Sequence, residues 1–177
     1  MYGRRTYENY IDRPLFGATT KKLNLDKDGD KIGEMNRWFH PPYERTATSP
    51  IYDVNIKGAS RMNTFEISQQ SFSLSEGHHW KLEQNGIEIG EIIGSKGLKE
   101  KHKIELHSES FPHILIETTW RGNGIISIND KEIGETKVTG FLINTKYITE
   151  TEAINNLIEP SLLAGIIYTF WSSHTQR

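Results

Sequence analysis

Residues 83–91, Glu-Gln-Asn-Gly-Ile-Glu-Ile-Gly-Glu, carry a pattern that this 177-residue chain uses three times: a polar turn followed by Ile-Gly-Glu. The other copies end at residues 32–34 and 133–135. Each copy follows a short alternating apolar run, and alternation around a polar turn is typical of a β-hairpin. The apolar pairs are Leu23/Leu25, Trp80/Leu82 and Ile126/Ile128. The pattern therefore predicts three related hairpins.

The glycine of each Ile-Gly-Glu copy has two structural explanations. In an unbroken strand Ile89 and Ile92 would point to opposite faces, and a bulge at Gly90 would return both to one face. Alternatively, the glycine leaves room for another backbone, as a central helix would require. Recruitment of the three glutamates (Glu34, Glu91, Glu135) into a catalytic or metal-binding set is a weaker hypothesis than solvated edge residues.

The rest of the chain also favours strands. Candidate strands lie at residues 21–26, 30–39, 51–57, 61–68, 70–75, 78–84, 87–94, 102–108, 112–120, 124–129, 131–138 and 140–147. Short strands spaced by about 8–12 residues are typical of a sandwich or barrel. The uneven spacing of the Ile-Gly-Glu copies disfavours a solenoid or propeller.

The pattern changes near residue 149. Thr149-Glu150-Thr151-Glu152 matches a capping box that opens a helix, and Pro160 stands where a second helix would begin. Residues 162–171 are apolar on nearly every side, so they must be surrounded. We expect a helical segment at about 150–173 and a sheet wrapped around it.

Composition and charge limit the function. The chain has no cysteine and a net charge of −2, which excludes thiol chemistry and argues against general nucleic-acid binding. Residues 1–20 have no signal-peptide pattern, and no apolar run is long enough to span a bilayer. We expect a cytoplasmic protein that is not transmembrane, with an N-terminal arm at 1–20 and one domain at 21–177.

Two patterns suggest metal ions, and both have ordinary explanations. Asp26, Asp28 and Asp30 resemble the start of a calcium loop, but Lys31 and Arg37 replace its required glycine and bidentate glutamate. A solvated turn is the preferred interpretation. His78 and His79 could bind a metal with His102, His107 or His113, but adjacent strand residues face apart, and so would His102 and His107. The sequence predicts no metal site, catalytic residue or cofactor.

The candidate ligand-binding residues form the one dense basic cluster of the chain. Lys96, Lys99, Lys101 and Lys103 would attract an anion such as a lipid headgroup, and the alternative is a solvated loop. Nucleophile-elbow and phosphate-loop motifs are absent from the sequence. The larger aromatic residues are predicted to lie in the core: Trp38, Phe39, Trp80, Trp120, Phe170 and Trp171.

Taken together, these patterns resemble the tubby C-terminal-like superfamily, which includes tubby proteins, phospholipid scramblases and LURP-one-related proteins. The resemblance rests on residues 31–34, 80–94, 126–134 and above all 159–167, and it covers about 20–174. It implies a mainly β fold, a closed antiparallel barrel of about 12 strands around a C-terminal hydrophobic helix. It carries over no catalytic residues.

The function expected from the residues and the resemblance is a non-enzymatic binding or regulatory module. Its partner would be an anionic membrane lipid, contacted peripherally, or another protein. The alternatives are a hydrolase that uses histidines and carboxylates and a purely structural, oligomerising module.

Overall fold

The computed structural model describes residues 7–12, 19–46, 49–73, 75–96, 101–140, 145–151 and 157–174, and it is mainly β. One antiparallel sheet and one C-terminal α-helix make up the described fold. The strands are β1 Tyr7–Asp12, β2 Lys22–Lys27, β3 Asp30–Trp38, β4 Asn55–Ser60, β5 Thr64–Ser73, β6 Gly77–Gln84, β7 Ile87–Gly94, β8 Lys103–His107, β9 Ile114–Thr118, β10 Gly124–Ile128, β11 Lys131–Thr139 and β12 Lys146–Thr151. The helix is α1, Pro160–His174.

The strands pair in chain order from β2 to β12, each antiparallel to the next. Strand β1 pairs with β12 over six residues and with β2 over three. The prediction of an arm at 1–20 was therefore wrong for 7–12, where backbone pairing with two strands overrides a polar, weakly patterned sequence. Two strand predictions were also wrong: residues 70–73 of the predicted strand 70–75 continue β5 past a register shift, and the last described strand lies at 146–151, where the prediction was 140–147. Residue 74 and residues 141–144 lie outside the described residues.

The three predicted hairpins are confirmed, and they share one geometry. Their turns use left-handed residues at 28–29, 85–86 and 129–130, which is the backbone of a type I′ turn. In each hairpin the register shifts once, at Ile32, Ile89 or Ile133, directly before the glycine. The predicted bulge is therefore present, and these three isoleucines are partly buried against the core.

The glycines have a second role, and here the prediction needs correction. A Cβ at Gly33 would lie 2.5 Å from the Ala59 carbonyl oxygen of β4. A Cβ at Gly90 or Gly134 would likewise meet the carbonyl oxygen of His107 or Glu150. The backbone that approaches each glycine belongs to the next strand of the sheet and not to the helix. Glycine thus allows the bulged strand to pair closely on both sides.

The helix begins at Pro160, as its position in the sequence indicated, and every residue from Ser161 to Ser173 is buried. The predicted capping box was wrong, because residues 149–151 lie in β12, where Tyr147, Thr149 and Thr151 alternate inward. Pairing with β1 and β11 outweighs the local helix signal. Residue 152 lies outside the described residues.

The two ends of the sheet, which we call the hairpin end and the loop end, hold different kinds of connection between strands. The hairpin end holds the turns at 28–29, 61–63, 85–86 and 129–130 and the start of α1, where Glu159 accepts a hydrogen bond from Asn63. The loop end holds residues 39–46, 49–54, 95–96 and 101–102, the turn at 119–123, and the end of α1, where His102 donates to the Phe170 carbonyl. Side chains of α1 contact strands on several sides between these ends.

Candidate functional site

The predicted basic loop lies at the loop end, between β7 and β8. Lys96 and Lys101 are exposed there, and Lys99 lies outside the described residues. Lys103 belongs to β8, and its ammonium group lies 2.7 Å from Glu105 Oε1. Much of the Lys103 charge is therefore matched by a carboxylate. Lys96 and Lys101 are candidates for an anion contact because their side chains are exposed.

An exposed tryptophan, which the sequence did not predict, lies in the turn after β9, whose last residue Thr118 bonds to His102 next to Lys101. Trp120, predicted to be core, is 87% exposed in the turn between β9 and β10. The Arg121 guanidinium lies 4.8 Å from the centre of its ring. This turn follows Thr118, whose N–H and hydroxyl both donate to the His102 carbonyl, at 2.9 and 3.2 Å. The core prediction failed because β9 ends two residues before the tryptophan.

Three of the other aromatic side chains predicted to lie in the core are buried, whereas Trp38 and Phe39 are only half-buried. Trp80, Phe170 and Trp171 are buried. The indole of Trp80 donates to the Val54 carbonyl at 2.8 Å, and that of Trp171 donates to the Thr136 hydroxyl at 3.0 Å. Both indole N–H groups are thereby satisfied inside the protein, as a buried tryptophan requires.

The histidines are divided between the two faces of the sheet, as the strand period predicted. His78 is buried and stacks on Trp80, with ring centres 4.8 Å apart. His79 points outward, and its Nε2 lies 2.7 Å from Glu91 Oε2. His102 is buried against α1, whereas His107 is exposed. The set of histidines proposed around His78 and His79 therefore does not converge on one point.

A different cluster does converge, on the outer face of the β8–β9 hairpin. Among the described residues, Glu105, His107 and His113 form the group whose potential ligand atoms all lie within 4.8 Å of one another. Asp26, Asp28 and Asp30 do not form such a group. The sequence signal that could have revealed the cluster is Glu105-x-His107, since residues two apart share a face. The register of the β8–β9 hairpin, which places His113 beside these two residues, could not be predicted from the sequence.

An open groove of about 490 Å³ adjoins this cluster. Its lining includes His107 and the acidic residues Glu88, Glu91 and Glu109. Ser108 also lines it and donates a hydrogen bond from its hydroxyl to the Ile89 carbonyl, at the bulge of β7. The three carboxylates give this groove an acidic lining, and such a lining favours a cation.

A buried polar network organises the loop end near β3 and β4. The guanidinium of Arg37 donates to the carbonyl oxygens of Pro50, Ile51 and Asp53, at 3.1, 2.7 and 2.9 Å. Burial lowers the pKa of Arg37, and the nearby Tyr168 and Asp53 oppose that change. The arginine therefore connects the long 39–54 segment to the interior.

The carboxylate of Asp53 is the second centre of this network. It accepts hydrogen bonds from the His40 backbone N–H at 2.6 Å and from the Asn55 amide at 2.7 Å. Its Oδ1 also lies 2.8 Å from His40 Nδ1, and Asn55 in turn accepts a bond from the Gln69 N–H. A histidine oriented by a carboxylate can act as a general base. Among the described residues no hydroxyl group bonds to the His40 imidazole. The contacts of His40 with Asp53 and Asn55 make it part of this buried network.

Comparisons with known proteins give no family for this chain. No protein-family model, curated protein or solved structure matches the chain. Within the described residues, no helix combines the length and the apolar character needed to cross a membrane.

Proposed function

We propose that the protein is a non-enzymatic binding module of the tubby-like type, in which the sheet closes into a barrel around α1. The pairing of β1 with both β2 and β12 supports closure, since it gives every strand two neighbours. The burial of α1 along its whole length supports a central helix. In this arrangement the interior is occupied by the helix, and binding takes place on the outside.

The ligand in this proposal is an anionic lipid surface, contacted by the loop end. The observation that carries it is the exposed Trp120, with Arg121 against its ring and Lys101 on the neighbouring loop. Tryptophan favours the headgroup region of a bilayer, because its ring is apolar and its N–H is polar. Basic residues near an anionic membrane contribute about 1 kcal/mol each. A local patch of this kind can bind although the chain carries a net charge of −2.

Vesicle co-sedimentation tests the lipid proposal. We expect binding to vesicles with phosphatidylserine, little binding to pure phosphatidylcholine, and weaker binding as salt rises from about 0.05 to about 0.15 M. Replacing Lys96, Lys101 and Arg121 with glutamine should weaken binding about 100-fold, if each contributes about 1 kcal/mol. W120S should also weaken it.

Matched controls lie at the hairpin end. A triple glutamine variant of Lys31, Arg61 and Lys131 makes the same change of net charge, and M62S removes an equally exposed apolar side chain. Both should bind like the unmodified protein. Equal losses in the two sets, or no preference for anionic vesicles, would refute the lipid proposal, and a protein partner would then be the better hypothesis.

Hydrogen exchange tests the architecture separately. In a closed barrel, the amides of residues 7–12 that bond to β2 or β12 should be protected to a similar degree as those of β2 and β12. The amides of α1 should exchange only through global unfolding. Rapid exchange of residues 7–12 beside a protected α1 would mean an open sheet.

A further inference from the structure

The outer face of the β8–β9 hairpin carries a group of side chains with the composition of a metal site. We propose that Glu105, His107 and His113 bind a borderline divalent cation of the Zn²⁺ class. Two imidazoles and one carboxylate are a frequent ligand set for Zn²⁺ when other positions remain open to water. The proposal is independent of lipid binding, which concerns the loop end.

The hairpin register brings the three side chains together. Glu105 and His107 are two residues apart on β8, so they project on the same side, and Leu106 between them is buried. Leu106 pairs with Ile114, so the adjacent His113 lies across from His107. The centres of the two imidazole rings are 5.0 Å apart.

The distances between ligand atoms match a tetrahedral site. Ligands about 2.0–2.1 Å from Zn²⁺ in tetrahedral geometry are about 3.3 Å from one another. Nε2 of His107 and of His113 lie 3.6 and 3.5 Å from Glu105 Oε2. All three ligand atoms lie within 4.8 Å of one another, so side-chain rotations have to bring them to the tetrahedral spacing.

A neighbouring lysine orients the carboxylate. Lys103 Nζ lies 2.7 Å from Glu105 Oε1, which leaves Oε2 directed at both histidines. The hydrogen bond from Lys103 lowers the pKa of Glu105, with a smaller contribution from His113. Lys103 thus holds the carboxylate in a fixed orientation, as residues outside the ligand shell commonly do for a metal ligand.

The acidic groove beside the cluster is the second independent feature that favours a cation. His107 lines it together with Glu88, Glu91 and Glu109. Glu91 pairs directly with His107 across β7 and β8. These carboxylates increase the local attraction for a divalent cation, and the open groove leaves space for water on the remaining coordination positions.

Cobalt substitution tests the site on the full chain without an affinity tag. We expect one Co²⁺ per chain, with visible absorption bands typical of tetrahedral coordination, and displacement by an equal amount of Zn²⁺. H107Q, H113Q and E105Q should each weaken binding by more than about tenfold. H79Q is the control, because His79 lies on the same outer face and bonds to Glu91 but is not in the cluster; it should retain binding within about twofold.

All variants change exposed or half-exposed side chains, so their circular dichroism should match that of the parent protein. The proposal fails if no Zn²⁺ binds below about 100 μM. It also fails if the H107Q/H113Q double variant binds like the parent. One ion per two chains with dimer formation would likewise refute a site within a single chain.

Discussion

The hairpin end and the loop end of the sheet reach stability by different means. At the hairpin end the same short motif recurs three times: a turn of left-handed residues, a bulge, and a glycine in close contact with the backbone of the next strand. Among the described residues of the loop end no such motif recurs, and buried Arg37 and Asp53 bond to residues 40, 50 and 51 of the connection between β3 and β4. The conformation of the hairpin end therefore depends mainly on residues that are neighbours in the sequence. That of the loop end depends on contacts between residues that are distant in the sequence.

This difference predicts at which end a substitution costs more stability. A turn residue acts through its own backbone angles, so its effect is local and moderate. A member of the Arg37–Asp53 network supports many partners at once, so its loss leaves several buried groups unsatisfied. The following changes test the contrast in order of expected size.

Phe65→Ala should have the largest effect. The Phe65 ring fills the space above two glycines, Gly58 on β4 and Gly165 on α1, so its loss leaves a cavity between sheet and helix. We expect the free energy of unfolding to fall by about 3–5 kcal/mol in urea denaturation. F72A, in the same strand at the loop end, removes a half-buried ring and should cost about 1 kcal/mol. Equal losses would contradict the difference in burial between the two rings.

Arg37→Met should lower the free energy of unfolding by about 3 kcal/mol, because it removes one partner of a buried charged network. R121Q, at an exposed arginine, should change it by less than about 0.5 kcal/mol. In a double-mutant cycle, the losses from R37M and D53N should be less than additive, since the Arg37 guanidinium bonds to the Asp53 backbone carbonyl and its charge interacts with the Asp53 carboxylate. Additive losses would mean that the two side chains act independently.

Gly90→Ala should cost about 2 kcal/mol, since the new Cβ would meet the backbone of β8. Gly86→Ala, in the turn of the same hairpin, meets open space but must adopt a φ of +77°, and should cost about 1 kcal/mol. The comparison separates the steric role of the bulge glycine from the conformational role of the turn glycine. A larger loss for G86A than for G90A would reverse our interpretation.

Glu105→Gln should have the smallest effect, measured as stability against pH in metal-free buffer. The folded-state pKa of Glu105 is lowered, so its stabilisation is present above the unfolded pKa of about 4.3 and is lost as pH falls through the folded value. Solvent screening limits it to about 0.5 kcal/mol. The variant should therefore lose slightly less stability than the parent between about pH 5 and pH 3. E132Q, at an exposed position of β11, should follow the parent curve.

Much of the hairpin end could be predicted because its signals are local. Asn85-Gly86 indicates a type I′ turn, and the offset from Ile89 to Ile92 indicates a bulge without any knowledge of the fold. Strand β1 was missed for the opposite reason. Its residues become a strand through pairing with β2 and β12, and no local pattern records those partners.

The candidate sites show the same division. The basic residues Lys96 and Lys101 were evident from charge alone, but the exposed Trp120 beside them depends on where β9 ends. The individual histidines were visible in the sequence. Their position close to Glu105 depends on the register of the β8–β9 hairpin, and spacing along the chain does not give that register.

By itself, the sequence determined the three bulged hairpins, the alternation of buried side chains, and a helix that begins at Pro160 and must be surrounded. Those features follow from backbone conformation and from the periods of strands and helices, which are properties of neighbouring residues. Only the tertiary structure decided that residues 149–151 form a strand, that Trp120 faces solvent, and that Glu105 meets His107 and His113. These outcomes depend on which strands pair and in which register. The free energy that favours one pairing over another comes from contacts between segments that are distant in the sequence.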